Sequence, residues 1–518
     1  MNKGNIVLVS PNTLGSYRSA SVNDENLALG YLAAVLEKCD YHVELMDGRM
    51  SHLSPEVVVE RINRIQPFFL GVSTISEESM SWIEEMGRLL NSPHYLSHVC
   101  MGGYYPSLQP EVVLEKLPFV DSVAKGEGEL TIIDLAEKIM SGEGLDNIPN
   151  LALRTPDGSI KNNPLRPVIV DLDTFPFPKR YAGQDSTEIV IEGSRGCFGR
   201  CTFCAVGPHF DAGRGLVWRG RSPESIVSEM SRLREIFPSN TKYRFVDPDF
   251  FGSASETHSA RTLKLANLIC ERVPGIELYV EARVTDIRRR NVLEALKRAG
   301  LKEVYLGIES GSEKILGKMR KNANVSDTIS ATRLLDSLGI NYQYGYMMIT
   351  PWTEQEDVTD CLALLRIIGR VQFDKLFNEL YLIPGTVLVE QVGKQCQLIR
   401  EEGTGYYSYE SNLLVKNIRA LGTAFETGHK TFAESLWFLY KDVQRHEQCQ
   451  VEGAGNIQRK LSDLFIAIFE SCLEKSKGRS LTGPGALGIA EWAVASFQGE
   501  AVMIRGMLNS SISFTKAV

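Results

Sequence analysis

The chain has 518 residues, 43% hydrophobic and 23% charged, which is too long for one core and too apolar for a disordered or collagen-like chain, so two or three globular domains are expected. A formal charge of -8 gives no general attraction to phosphate backbones or anionic membranes, and the expected partner is a small-molecule or peptide substrate, with no nucleic acid and no membrane. No apolar run reaches the about 18 residues of a membrane span, and Ile6–Val9 is too short for the core of a signal sequence, so a cytoplasmic location is expected.

Over residues 1–145, short β-rich runs alternate with helical patterns, which indicates a parallel sheet with crossover helices. Strands are expected at Ile6–Val9, His42–Met46, Phe68–Thr74, His98–Met101 and Ser122–Ala124. Helices are expected at Asn26–Lys38, Pro55–Ile65, Ser79–Leu90, Glu111–Leu117 and Leu130–Met140. Such a doubly wound, Rossmann-like or flavodoxin-like domain binds ligands beyond the carboxyl ends of its strands. That edge holds Ser10, Asn12 and Thr13 after the first strand, and Ser73 and Thr74 after the third. Gly102 and Gly103 follow the fourth, and Gly126, Glu127 and Gly128 the fifth. Glycine permits close backbone approach, and helix N-termini suit anionic groups. The same residues also read as ordinary turn residues of an α/β domain.

Residues 146–186 are proline-rich, polar and poorly periodic, and read as a linker or a cross-domain wrap. Over 187–400 the alternation resumes, with strands expected at Glu188–Glu192, Tyr243–Val246, Leu278–Arg283, Val304–Ile308, Tyr342–Ile349 and Lys375–Leu382. Helices fall between them, and six βα units suggest a partial (β/α)6 TIM-like barrel with its chemistry at the carboxyl ends of the strands. Residues 401–518 turn helical, with Phe432, Leu436, Leu439 and Tyr440 on one face and Leu461, Phe465, Ile468 and Cys472 on another. From position alone, this C-terminal helical domain is expected to cap the barrel mouth.

Ten cysteines without a signal sequence argue against a disulfide framework. Cys39, Cys100, Cys270, Cys361, Cys396, Cys449 and Cys472 are scattered in apolar or helical contexts and read as small hydrophobes. Cys197, Cys201 and Cys204 instead crowd at C-x3-C-x2-C spacing just after the first barrel strand. Thiolates are the ligands iron–sulfur clusters select, and close spacing lets several sulfurs converge. A closed zinc site wants four ligands, and a zinc site completed by His209 stays open as an alternative. Three thiolates on a four-iron cube leave one iron free to coordinate a small molecule.

This spacing at the first strand-to-loop junction of a partial barrel, with Phe203 immediately before the third cysteine, resembles the radical S-adenosylmethionine (SAM) enzymes. Val246-Asp247-Pro248-Asp249-Phe250-Phe251, Glu281-Ala282-Arg283 and Gly307-Ile308-Glu309-Ser310-Gly311-Ser312, at the second, third and fourth barrel strands, are similar to the same family. The resemblance implies that Cys197, Cys201 and Cys204 ligate a [4Fe-4S] cluster whose open iron chelates S-adenosylmethionine, with Phe203 and Asp247 nearby. It also implies that Glu281, Arg283 and Glu309 grip the ribose and methionyl parts; otherwise they read as charges closing the barrel mouth. Asn26-Leu27-Ala28-Leu29-Gly30-Tyr31-Leu32-Ala33, Met101-Gly102-Gly103-Tyr104-Tyr105-Pro106 and Lys125-Gly126-Glu127-Gly128-Glu129 resemble the cobalamin-binding domain fused to many of these enzymes. The D-x-H-x-x-G ligand loop is absent, because Ser10-Pro11-Asn12-Thr13-Leu14-Gly15 has no histidine; the resemblance then implies cobalamin bound without a histidine on its lower face.

The implied activity is that of a cobalamin-dependent radical SAM methyltransferase acting on an unactivated carbon or phosphorus of a small molecule or peptide in a biosynthetic pathway. A flavodoxin or ferredoxin would supply electrons. An sp3 carbon has no lone pair with which to attack a sulfonium methyl, whereas a carbon radical can collect a methyl from methylcobalamin. Cyclisation, ring contraction or rearrangement with the same cofactors is the nearest alternative. A non-catalytic binding protein stapled by zinc or a cluster is the second.

Overall fold

The computed structural model describes residues 3–12, 25–90, 97–155, 157–181, 188–210, 217–395, 398–400, 407–409, 411–448 and 453–515. Five parallel strands, β1 (Asn5–Ser10), β2 (His42–Asp47), β3 (Phe69–Ser73), β4 (His98–Gly102) and β5 (Ser122–Ala124), form the first sheet. Their apolar runs are buried on both faces, as a sheet covered by helices requires. Residues 146–186, read as linker, add two antiparallel strands, β6 (Leu151–Arg154) and β7 (Ile160–Asn162), to give the order β2-β1-β3-β4-β5-β6-β7. The order reverses between β1 and β3, which opens a crevice beyond their carboxyl ends.

The second sheet begins with β8 (Ile189–Ile191), followed by a hairpin of β9 (Ser194–Gly196) and β10 (Trp218–Gly220) that the sequence reading did not contain. It continues with β11 (Lys242–Phe245), β12 (Glu277–Arg283), β13 (Leu301–Glu309) and β14 (Asn341–Tyr346), in the parallel order β14-β13-β12-β11-β8. The sixth expected strand, Lys375–Leu382, shrinks to a single bridge between Ile349 and Glu379. Its first residues turn instead, with Leu376 N donating to Phe373 O at 3.2 Å and Phe377 N to Asp374 O at 3.0 Å. Phe373 packs on Phe425 and Phe465, and Phe377 on Phe425 and Phe469, so C-terminal helices hold the segment out of the sheet. The small pair β15 (Leu398–Arg400) and β16 (Tyr407–Tyr409) precedes the helical region.

Helices Lys430–Gln448 and Ala454–Ser476 bury the expected faces, including Leu436, Tyr440, Leu461 and Phe465. They pack against the segment that follows helix Gln355–Ile368. Val371 N donates to Ser462 Oγ at 3.0 Å, and Arg370 pairs with Glu447 at 2.7 Å. Among the described residues no helix is long and apolar enough to cross a membrane.

Candidate functional site

The crevice at the β1/β3 reversal is a cavity of about 410 Å3. Ser10, Ser73, Thr74, Gly102, Gly103, Gly126, Glu127 and Gly128 line it, as the strand-end rule places them. Asn12 is described but is not a lining residue; Thr13 lies outside the described residues. Glycine is required at 103, where φ is +101° and a Cβ would lie 2.2 Å from Thr74 O. The opposite wall comes from the barrel, through Glu192, Ser194, Arg195, His209, Val246 and Pro248. A deep glycine-edged cradle at the switch point fits a large flat cofactor.

Cys197, Cys201 and Cys204 are free thiols, half-buried in the loop that leaves β9. A Cβ on Gly199 would lie 3.3 Å from Cys197 Sγ and 3.7 Å from Cys201 Sγ, so a side chain there would intrude between two of the sulfurs. Burial pushes the Cys204 thiol up to about 11, and it raises Cys197 and Cys201 as well. Among the described residues no three His, Cys, Asp or Glu groups meet around one metal ion. Three thiolates within eight residues match a cube with one corner left open, whereas a closed zinc site wants four ligands. The His209 ring packs on Tyr104 at a centroid distance of 4.3 Å, tilted by 40°, and lines the large cavity.

The loop is braced from three sides. Its Thr202 N donates to Met319 O, and its Thr202 O accepts from Leu388 N, both at 2.9 Å. Asp249 accepts from Phe198 N at 3.4 Å and pairs with Arg283 Nε at 3.0 Å. Arg283 Nη2 meets Asp286 at 2.6 Å, and its Cζ lies 5.7 Å from the Phe198 ring. Burial, then the neighbouring Asp249, pushes the Asp286 carboxyl up to about 7.

The other expected residues scatter by role. Asp247 is fully buried and accepts from Gly193 N and Ser194 Oγ, both at 2.7 Å, so it shapes the turn into the hairpin. Burial raises it to about 7 despite those donors. Phe203 joins a small apolar cluster with Ile315, Met319 and Leu380 and does not line the cavity. Glu309 pairs with Lys321 at 2.8 Å. Glu281 lies mid-strand on β12, on the face shared with Tyr279 and Arg283, with no hydrogen bond to its carboxyl among the described residues. Desolvation pushes that carboxyl up to about 7, opposed by Arg244. Cys39 is half-buried and Cys270 exposed, contrary to a buried role, whereas Cys100, Cys361 and Cys472 are buried; Cys396 and Cys449 lie outside the described residues.

The sequence reading missed the charged wall between the two domains. Arg195 pairs with Glu127, Glu129 and Glu192, and Arg219 with Glu127. The alternation Gly126-Glu127-Gly128-Glu129 was visible, but nothing local announced its partners on the β9–β10 hairpin.

A flavodoxin-like domain facing a partial barrel, with three thiols in the first barrel loop, defines a two-domain enzyme class built around a metal cluster. Residues 191–363 match the radical SAM superfamily, and residues 20–136 match the B12 binding domain. The chain thus carries a B12-binding domain followed by a radical SAM domain, and its cofactors are a [4Fe-4S] cluster, S-adenosylmethionine and cobalamin. It is 26% identical over 452 residues to an uncharacterized methyltransferase of Pyrococcus horikoshii, covering 85% of this chain and 95% of that one. It is 24% identical over 367 residues to an anaerobic magnesium-protoporphyrin IX monomethyl ester cyclase of Rubrivivax gelatinosus, covering 65% and 60%. The solved cobalamin-dependent S-adenosylmethionine radical enzyme OxsB shares the fold at a TM-score of 0.75 and 18% identity, covering 98% of this chain and 81% of that one.

Proposed function

We propose that the chain is a cobalamin-dependent radical SAM methyltransferase that methylates an unactivated carbon, or phosphorus, of a small molecule or peptide in a biosynthetic pathway. The observation that carries this reading is a shared wall. Glu192, Ser194 and Arg195, which lead directly into Cys197, line the same cavity as the glycine loops of the first domain. Cys197, Cys201 and Cys204 would hold the cluster, and the strand ends from Ser10 to Gly128 would hold cobalamin.

When bound, the cluster supplies an electron for carbon–sulfur cleavage of S-adenosylmethionine, and cobalamin supplies a transferable methyl group. The protein's own groups bind, orient and enclose. Arg283, clamped by Asp249 and Asp286, stacks near Phe198 and steadies the thiol loop. Glu281, with its carboxyl raised to about 7, can donate its proton in a hydrogen bond to a polar group held within the barrel near neutral pH. An external one-electron carrier, a flavodoxin or ferredoxin, would complete the system.

The test is anaerobic incubation of reconstituted protein with S-adenosylmethionine, hydroxocobalamin and reductant. Formation of both S-adenosylhomocysteine and 5′-deoxyadenosine supports methyl transfer; neither product refutes the reading. The similarity to the cyclase favours cyclisation or rearrangement as the second reading, which predicts 5′-deoxyadenosine alone.

A further inference from the structure

Arg195 stands two residues before Cys197 and is 4% exposed. All three nitrogens of its guanidinium are engaged: Nε meets Glu192 at 2.9 Å, Nη1 meets Glu127 at 3.1 Å and Nη2 meets Glu129 at 2.6 Å. The rings of Tyr31 and Phe175 flank its Cζ at 5.3 and 5.4 Å. Arg219, directly across the β9–β10 hairpin, donates to both Glu127 oxygens at 2.8 and 3.0 Å. Two guanidinium groups thus face three carboxylates between the domains. Displacing Arg195 would take the paired guanidinium from Glu129 and Glu192 and leave Glu127 with Arg219 alone, so the cluster has one favoured arrangement.

The two ends of this cluster reach different sites. Glu127 lies between Gly126 and Gly128 in the loop, Glu129 opens the helix that follows, and all four line the large cavity. In the other direction Arg195 is joined to Cys197 through Gly196, whose φ is +84°. A Cβ there would lie 2.2 Å from Val217 O, which leaves the hairpin little room to shift.

We propose that Arg195 is a positioning residue that makes occupancy of the cobalamin site and of the cluster site mutually dependent. The inference rests on the functional reading above. A thiol loop closed on its cluster holds Arg195 in place, and Arg195 holds the Glu127–Glu129 wall on which the corrin settles. Cobalamin then binds a wall already ordered. By linkage, whatever factor the cluster adds to cobalamin affinity, cobalamin adds to cluster affinity. A residue that only stabilised the fold would weaken both sites and leave that factor unchanged.

The test is an anaerobic absorbance titration of the full chain with hydroxocobalamin, with and without reconstituted cluster. Wild type should bind roughly tenfold more tightly with the cluster in place. R195K keeps the charge but loses the three-sided fork. E129Q acts from the opposite side and leaves two guanidiniums facing two carboxylates. In both, the ratio should fall toward one while circular dichroism and iron content are retained. Equal affinities in wild type with and without the cluster, or an undiminished ratio in both variants, overturn the coupling alone. Failure of reconstituted wild type to bind hydroxocobalamin at all overturns the functional reading and the coupling with it.

Discussion

Lys321 Nζ lies 2.8 Å from Glu309 Oε1, and the two side chains are only 8% and 13% exposed. Burial alone would lower the ammonium pKa, but the Glu309 carboxylate and the thiols of Cys201 and Cys197 outweigh it and raise it. Gly307 makes the room: a Cβ there would sit 2.6 Å from Lys321 Nζ and 2.7 Å from Glu309 Oε1. Glu309 itself has φ +69°, beside a register shift between β13 and β14. Lys321→Met would leave a buried carboxylate without its counter-charge and should cost about 3–5 kcal/mol. Urea unfolding checks this, and adding Glu309→Gln should recover more than half of the loss.

Gly103→Ala should damage the cavity edge specifically. Both Gly103 and Gly142 have positive φ, at +101° and +70°, but a Cβ at 142 meets nothing within 4 Å, whereas at 103 it strikes Thr74 O. Gly142→Ala should therefore cost only the backbone strain of about 1 kcal/mol, and Gly103→Ala clearly more. Urea midpoints compare the two, and only Gly103→Ala should also weaken hydroxocobalamin binding.

The first sheet was legible because strands buried on both faces appear as unbroken apolar runs between turn residues. Ser73, Gly103 and Gly126 followed from the strand ends. The three cysteines stood out because their spacing is local, and the fold keeps them in one loop. The sixth barrel strand was not, because Lys375–Leu382 alternates well enough for a strand while Phe373 and Phe377 are claimed by Phe425, Phe465 and Phe469 from far along the chain. Arg195 escaped for the same reason. Two of its three carboxylate partners, Glu127 and Glu129, lie more than sixty residues upstream and meet it only through domain packing.

Glu281 predicts a pH dependence. An unfolded glutamate has its ordinary pKa near 4.5, and burial raises it to about 7 in the folded chain. Folding then favours the protonated form. The stabilising contribution is complete below about pH 4.5 and is lost as pH rises through about 7, where ionising the buried carboxyl costs up to about 3 kcal/mol. Glu281→Gln does not titrate. In the cofactor-free chain it should match wild type near pH 5 and exceed it in urea midpoint at pH 8. An equal midpoint at both values would show that the carboxyl is solvated.

The cluster assignment makes the sharpest demand on metal content. Cys201 is flanked in the loop by Cys197 and lies near Lys321, whereas Cys270 is exposed on helix Glu256–Arg272. Removing one of three thiolates leaves two iron corners without a protein ligand, so Cys201→Ala should lose most of its iron and brown charge-transfer absorbance after anaerobic reconstitution. Cys270→Ala should retain both. Gly199→Val puts bulk where a Cβ would lie 3.3 Å from Cys197 Sγ and 3.7 Å from Cys201 Sγ, and it should lower iron content with every thiol still present. Iron and sulfide assays alongside circular dichroism separate this effect from misfolding. Full iron content in Cys201→Ala would remove that residue from the ligand set.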